Sequence, residues 1–376
     1  MKLTRPVPAT DPVRGKFTAA RAALSSALIE RDDEVDLVLT ALVAGEHALL
    51  VGPPGCGKSL LLDSLLALTG GGKFSVLLTK FSVPEEVVGP VSLAALKADR
   101  YVRVTAGKLP EAEYAFLDEV FRGSSAILNT LLKILNERVY DAGDGPRPVP
   151  LRLCVAASNE WPCPETGKEL AALFDRFLLR AAVFPVRTAA GRKRLLWGDV
   201  PRPAAAVLTS ADVDSARAAA AALPWSADAK DALEAVLKEL AKEGVRPGDR
   251  RQRKTVGAVR AFAYLAGADR VKPEHLEVAR HCLWDDPHEQ PQVAARVIAR
   301  VANPAGMRVS QLLLEADQVA AAADARDLAA AATAAAKLGE IDRQLSALAG
   351  DARADRARAH VRDQLTALKL ASIAAV

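Results

Sequence analysis

The sequence predicts an α/β fold: a parallel sheet of five strands with helices on both faces, then an all-helical second half. Three observations predict it. Short apolar runs alternate with helical runs from residue 47 to about 184, as in a parallel sheet covered on both sides. A complete G-x-x-x-x-G-K-[ST] pattern, Gly52-Pro53-Pro54-Gly55-Cys56-Gly57-Lys58-Ser59, joins the first strand-like run to the first helix-like run. After about residue 186 the strand signals stop.

Residues 1–13 are Pro-rich and read as extended. Residues 14–44 read as helical, with Leu24, Leu28, Leu37, Leu39, Leu42 and Val43 as apolar positions. His47 to Val51 is apolar enough to be a buried strand. The Leu-rich run from Ser59 to Leu68 reads as a helix, and Gly70-Gly71-Gly72 stops it. Further strands are expected at 74–80, 114–118, 151–157 and 181–184. The helix at 124–136 carries Ile127, Leu128, Leu131, Leu132 and Leu135 on one face. Two stretches interrupt the alternation. Residues 82–97 carry Pro84, Gly89 and Pro90 between short apolar pieces, and 138–150 read as a β-hairpin around Asp141 to Pro146.

Pro201, Pro203 and Pro224 punctuate the start of the helical half, whose helices are expected at 211–223, 226–243, 250–267 and 273–283. From 286 onward an Ala-rich stretch with a thin apolar stripe predicts a long helical hairpin broken at Gly350. The chain divides as 1–13 (extended segment), 14–186 (α/β domain), 187–285 (all-α domain) and 286–376 (helical extension).

Composition narrows the function. With 50% hydrophobic and 26% charged residues, 376 residues suffice for two or three soluble domains. A net charge of +4 and 5% aromatics give no sign of a nucleic-acid binder. No cysteine pair has C-x-x-C spacing and no His cluster accompanies them, which argues against zinc. Cys56 and Cys154 read as reduced thiols, so a cytoplasmic location is expected. The start, Met1 to Pro6, lacks a signal-peptide core, and no run reaches eighteen apolar residues, so no membrane span is expected.

The glycine loop carries the chemistry. Glycines let backbone N–H groups turn inward toward oxygen, and a helix N-terminus adds its positive dipole end. The candidate nucleotide-binding residues are Gly52, Pro53, Pro54, Gly55, Cys56, Gly57, Lys58, Ser59 and Leu60. Lys58 can neutralise the outer phosphates of ATP, and the Ser59 hydroxyl can ligate Mg²⁺. The run Tyr114-Ala115-Phe116-Leu117 ends in Asp118-Glu119, two acids at a strand end. Asp118 suits a second Mg²⁺ contact and Glu119 the polarisation of water. Asn159 follows the next apolar strand and can hydrogen-bond the water or the γ-phosphate. Arg176, between Asp175 and Phe177, reads as a surface arginine or as a finger into a neighbouring subunit's nucleotide. In GTPases such a finger contributes on the order of 10³–10⁵ in rate. The basic run Arg250-Arg251-Gln252-Arg253-Lys254 reads as a solvated face, as a nucleic-acid patch without aromatic neighbours, or as a lid arginine that touches the γ-phosphate.

The ordered set GPPGCGKS, FLDE, SNE, LFDRFLLR and GDRR resembles the MoxR family of AAA+ ATPases, in particular its RavA-type branch. Residues 81–90 resemble that branch's helix-2 insert, and 126–138 its following helix and hairpin. The resemblance covers about residues 15–285. It implies a P-loop αβα sandwich, a small helical lid and a ring, usually a hexamer. It implies Walker A roles for Lys58 and Ser59, Walker B roles for Asp118 and Glu119, and sensor 1 for Asn159. Arg176 would be the finger and Arg250 sensor 2, with Arg251 the other candidate. It also implies chaperone-like remodelling or metal insertion, with a von Willebrand factor A domain protein as partner. The alternative function is a nucleotide-gated scaffold, and a nucleic-acid motor is the third reading.

Overall fold

Strands buried on both faces need helical crossovers, and the chain supplies one after each sheet strand. The computed structural model describes residues 11–142, 145–162, 168–199, 208–323, 328–348 and 352–374. The chain enters through α1 (Pro12–Ala27) and α2 (Asp32–Ala44). Asp11 caps α1, accepting a hydrogen bond from the Val13 N–H at 3.0 Å, and Pro12 takes the first helical position. The helix therefore starts two residues before the expected boundary. It is also not continuous to residue 44: Glu30, with φ of 55°, turns the chain between α1 and α2. Residues 1–10 of the segment expected to be extended lie outside the described residues.

Next come β1 (Ala48–Val51), α3 (Lys58–Leu68) and β2 (Lys73–Leu77). The insert follows as α4 (Pro84–Val88) and α5 (Leu93–Leu96), held by a bridge between Val91 and Arg103. Then follow β3 (Tyr114–Asp118) and α6 (Ser125–Glu137), whose buried face is Ile127, Leu128, Leu131, Ile134 and Leu135. The hairpin forms as expected from β4 (Val139–Asp141) and β5 (Pro146–Pro148), with Val139 opposite Pro148. β6 (Leu153–Ser158), α7 (Lys168–Arg176) and β7 (Leu179–Ala182) complete the α/β unit.

All five sheet strands are parallel, in the order β2-β3-β6-β1-β7. Flanked on both edges, β1 and β6 are buried at every residue. The edge strand β2 alternates at its start, with Lys73 and Ser75 exposed and Phe74 buried. The register levels the strand ends: Val51 pairs with Ser158 and Ala182, and Leu77 with Asp118. One sheet edge therefore carries the glycine loop, the Asp118-Glu119 pair and Asn159.

The helical half contains α8 (Ala189–Trp197), α9 (Ser210–Ala222), α10 (Ala227–Lys242), α11 (Asp249–Leu265), 3₁₀ turns over Pro273–His281, and α12 (Gln290–Ala302). Thr209 and Asp212 cap α9 reciprocally, the Thr209 hydroxyl accepting from the Asp212 N–H and the Asp212 carboxylate from the Thr209 N–H. Pro201 and Pro203 lie outside the described residues. The main apolar core runs from Phe17 to Ala302. The sequence expectation opens the extension at 286, but α12 belongs to this core through Ala294, Val297 and Ile298. A second core of Val309, Leu312, Ala316, Leu338, Ile341, Leu345, Ala354, Ala357 and Val361 lies beyond it. It joins α13 (Pro304–Ala322), α14 (Leu328–Ser346) and α15 (Ala352–Ala374), each packed on the other two. The extension is therefore a three-helix bundle rather than a hairpin; Gly350 lies outside the described residues. Among the described residues, no helix is long and apolar enough to cross a membrane.

Candidate active site

Two glycines of the loop, Gly55 (φ 80°) and Gly57 (φ 82°), take the left-handed conformation that side chains resist. A third, Gly52, faces a wall: a Cβ there would come within 2.1 Å of the Val183 carbonyl oxygen. The Gly52 N–H donates to the Ser158 carbonyl at 3.1 Å, tying the loop to β6. Helix α3 starts at Lys58, where the Leu61 N–H reaches the Gly57 carbonyl at 3.0 Å.

Lys58 is buried, and its Nζ donates to the carbonyls of Gly52 (2.6 Å) and Pro53 (3.1 Å) and to Oδ1 of Asn159 (3.1 Å). The other face of that amide continues the chain: Asn159 Nδ2 donates to Glu119 Oε1. Arg122 pairs with the second Glu119 oxygen at 3.3 Å. The Glu119 N–H donates to Asp118 Oδ1 at 3.0 Å. Glu119 itself has φ of 51°, a conformation that costs about 1–3 kcal/mol in a non-glycine residue. Lys58, Asn159, Glu119 and Arg122 thus form one polar chain across the ends of α3, β6 and β3.

This chain borders a cavity of about 370 Å³ lined by Pro54 to Leu60, Leu77, Asp118, Glu119 and Asn159. Among the described residues, Lys58 has no carboxylate partner and Asp118 no cationic one. A buried cation whose partners are neutral oxygens suits an anion, and a carboxylate on the same wall suits a cation. A polyphosphate with a bound divalent ion offers both. A larger cleft, about 750 Å³, opens between the start of α2, the end of β7 and the 3₁₀ turns, with Trp161, Arg180, His281 and Trp284 on its walls. None of residues 52–59 lines it, so the chemistry of the loop belongs to the smaller cavity.

The sequence-predicted residues fall into two groups. Pro54 to Leu60, Asp118, Glu119 and Asn159 meet at the cavity, with Gly52 and Pro53 outside its lining as acceptors of Lys58. Arg176 and Arg250 do not. Arg176 ends α7, three residues before β7 begins, and pairs with Asp175 at 3.3 Å. Arg250 donates to Asn136 at the end of α6. Its neighbours fix the location: Lys254 bonds Glu46 at 2.5 Å and Arg251 reaches the Leu178 carbonyl at 3.3 Å, both just before a strand starts. Both arginines therefore lie toward the opposite edge of the sheet, about 13 Å of strand from the loop. Arg251 is a buried cross-link instead, bonded to the Asp175 carboxylate (2.8 Å), the Cys282 carbonyl (3.1 Å) and Asp285 (3.0 Å).

Two site residues escaped the sequence reading. Arg122 looks like any charge in a short turn, and only the fold brings it to Glu119. Arg31 opens the acidic start of α2 yet is buried against the carbonyl of Cys56. Beneath the sheet, His47 is fully buried and its pKa lies well below normal, first through burial and then through Arg138. Neutral His47 accepts from the Cys154 N–H at 3.0 Å on Nδ1, which leaves Nε2 to donate to the Leu135 carbonyl at 3.1 Å. Burial also raises the Cys154 thiol to about 12, so that thiol stays protonated.

Comparison with known proteins agrees with this geometry. Residues 15–203 match a family model described as the MoxR domain in the MoxR-vWA-beta-propeller ternary systems, and 229–297 match an AAA lid domain. An uncharacterized protein of Methanocaldococcus jannaschii is 38% identical over 292 residues, covering 77% of each chain. The protein named MoxR of Methylorubrum extorquens is 26% identical over 70% of this chain and 86% of its own. The protein named Chaperone MoxR1 of Mycobacterium tuberculosis is 25% identical over 42% of this chain and 41% of its own. A crystal structure titled as a candidate ATPase from Cytophaga hutchinsonii superposes with a TM-score of 0.63. It covers 78% of this chain and 96% of its own at 16% identity, a likeness of fold alone.

Proposed function

Because this chain belongs to the MoxR family of AAA+ ATPases, we propose that it hydrolyses ATP with Mg²⁺ at the junctions of a ring, a hexamer in the simplest case. One observation carries the reading: among the described residues, a buried lysine without a counter-ion and a carboxylate without a cation share one cavity with a glycine loop and a second acid.

In this reading Lys58 leaves the carbonyls of Gly52 and Pro53 for the outer phosphates. Ser59 and Asp118 would hold Mg²⁺, which would supply neutralisation of the phosphate charge. Glu119 accepts the proton of the attacking water, and Asn159 aligns that water or the γ-phosphate. Asn159 bonds both Lys58 and Glu119, so a nucleotide that draws Lys58 away leaves the Asn159 Oδ1 free for the water or the γ-phosphate. Arg176 and Arg250 act on the next protomer's nucleotide, a role consistent with their distance from their own loop. The work done is chaperone-like remodelling, or metal insertion into a partner, together with a von Willebrand factor A domain protein. The words vWA and beta-propeller in the matched family description support that partnership. Burial of the free thiols Cys56, Cys154 and Cys282 is compatible with a cytoplasmic setting.

The test is Glu119→Gln, which keeps the side-chain shape and removes the base. It should bind ATP as the wild type does and turn it over about 10²–10⁴ times more slowly. Equal turnover rejects Glu119 as the base. A second reading, a nucleotide-gated scaffold, draws on the separate three-helix core of α13–α15, which offers a binding body apart from the ATPase unit. Partner capture that needs bound ATP but is indifferent to Glu119→Gln would favour it.

A further inference from the structure

The Arg31 guanidinium is 6% exposed and makes all its recorded hydrogen bonds to backbone carbonyls. Nε (3.1 Å) and Nη2 (2.8 Å) grip the Cys56 carbonyl as a fork. Nη2 also reaches Phe184 O beyond β7 at 2.6 Å, and Nη1 reaches Glu30 O at 2.6 Å. The phosphate loop is thereby fastened to the turn before α2 and to the segment after β7.

What that fork fixes follows from the peptide bond. The Cys56–Gly57 unit is planar and trans, so its carbonyl and the Gly57 N–H point opposite ways. Pulling the carbonyl toward Arg31 aims the N–H the other way, and Gly57 lines the cavity. Among the described residues that N–H has no acceptor. Gly57, at φ of 82°, has no side chain to resist a peptide flip, so the restraint must come from outside the loop. Lys58 also restrains the loop, through Gly52 and Pro53, but only until phosphate claims its amine.

We propose that Arg31 is a positioning residue for the nucleotide's phosphates: it holds the Cys56 carbonyl outward and so keeps the Gly57 N–H aimed into the cavity. The role rests on the reading of the loop as a polyphosphate site. It concerns the phosphates beyond the first, since those enter the loop, and not the nucleoside.

The full chain is titrated with fluorescent mant-ADP and mant-AMP in Mg²⁺, for wild type, Arg31→Ala and Arg31→Lys. ATP turnover and a thermal melt are recorded beside each titration. Arg31→Ala should weaken mant-ADP binding about tenfold, the scale of one charge-assisted hydrogen bond. KM for ATP should rise by a similar factor, with kcat within about twofold and mant-AMP affinity nearly unchanged. Arg31→Lys, a single point donor in place of a fork, should fall between the two. Equal mant-ADP affinity in wild type and Arg31→Ala overturns the role, as does a parallel loss for mant-ADP and mant-AMP. Should Arg31→Ala fail to fold, Arg31→Lys decides: mant-ADP binding equal to wild type overturns the role. A wild type that binds neither ligand removes the polyphosphate reading itself, and Arg31 falls with it.

Discussion

Mild acid should loosen this protein well above the range where carboxylates titrate. His47 is fully buried and His281 partly so, on the wall of the larger cleft, and both are held neutral. Burial is the main cause for each, with Arg138 adding to it at His47 and Arg280 at His281, where the pKa is pushed down to about 3. His281 donates from Nδ1 to the Arg180 carbonyl at 3.1 Å and accepts from Arg280 on Nε2 at 3.0 Å, so protonation has no room. In the unfolded chain both rings titrate near 6.5. The unfolded state therefore binds protons first: the stability is whole above about pH 6.5 and is lost as pH falls toward the folded-state values. Linkage gives about 1.3 kcal/mol per histidine between pH 7 and 5.5, or about 2.5 kcal/mol for the pair. That is a large share of a typical margin of roughly 5–15 kcal/mol. Asp212, drawn down to about 2 mainly by Lys16, loses its contribution only below about pH 4, outside this window. The assay is urea unfolding followed by circular dichroism at pH 7.0, 6.25 and 5.5, on wild type and His281→Gln. The wild-type midpoint should fall steadily, and His281→Gln should show about half the decline. A midpoint unchanged between pH 7 and 5.5, or an identical decline in His281→Gln, would refute the reasoning.

Arg251→Ala should cost about 3 kcal/mol, the low end for breaking a buried ion pair, because Asp175 and Asp285 are half exposed and can rehydrate. Urea midpoints measure it, and Arg251→Lys should recover little, since one ammonium cannot replace the fork. A chain ending at Asn303 keeps the whole main core, so its mant-ADP affinity should stay within about twofold of the full chain. A larger loss would mean that α13–α15 support the nucleotide site. Arg176→Ala and Lys58→Ala proteins should each be inactive alone and regain ATPase activity when mixed, because the mixture contains junctions with an intact loop and an intact arginine. A mixture as inactive as its parts would count against a role across the junction.

The sequence made the edge that carries the candidate site legible because that edge is built from strict local requirements. Gly55 and Gly57 need left-handed backbone, Lys58 must open a helix, and the buried strands β3 and β6 allow no polar residue until they end at Asp118 and Ser158. Contacts made only by the fold were not legible. Arg31 reaches Cys56 across 25 residues and Phe184 across 153, and no periodicity encodes such pairings. The turn at Glu30 was missed because Leu28-Ile29-Glu30-Arg31 holds neither Gly nor Pro, and a glutamate in left-handed backbone leaves no compositional mark. The place of α12 was missed for a different reason. Ala-rich helices lie on both sides of Asn303, so composition is alike across the boundary while the two cores are separate.

In the proposed ring, one chain would hold only part of the chemistry. Hydrolysis gathers negative charge on the γ-phosphate, and stabilising it calls for more than one cation. Among the described residues, the cavity offers Lys58; Arg122, the next guanidinium, is already paired with Glu119. Arg176, paired with its exposed neighbour Asp175, and Arg250, bonded to the neutral Asn136, stand toward the other edge of the sheet, where α7 ends and α11 begins. A parallel sheet fixes these two edges apart, and no hinge within it can join them. Head-to-tail assembly can, because a heterologous contact sets one surface of a protomer against a different surface of the next, and it forms a ring where the rotation closes. In such a ring each loop would gain its second cation only from a neighbour. Turnover would then rise with protomer concentration even where ADP binding to the single chain is already complete.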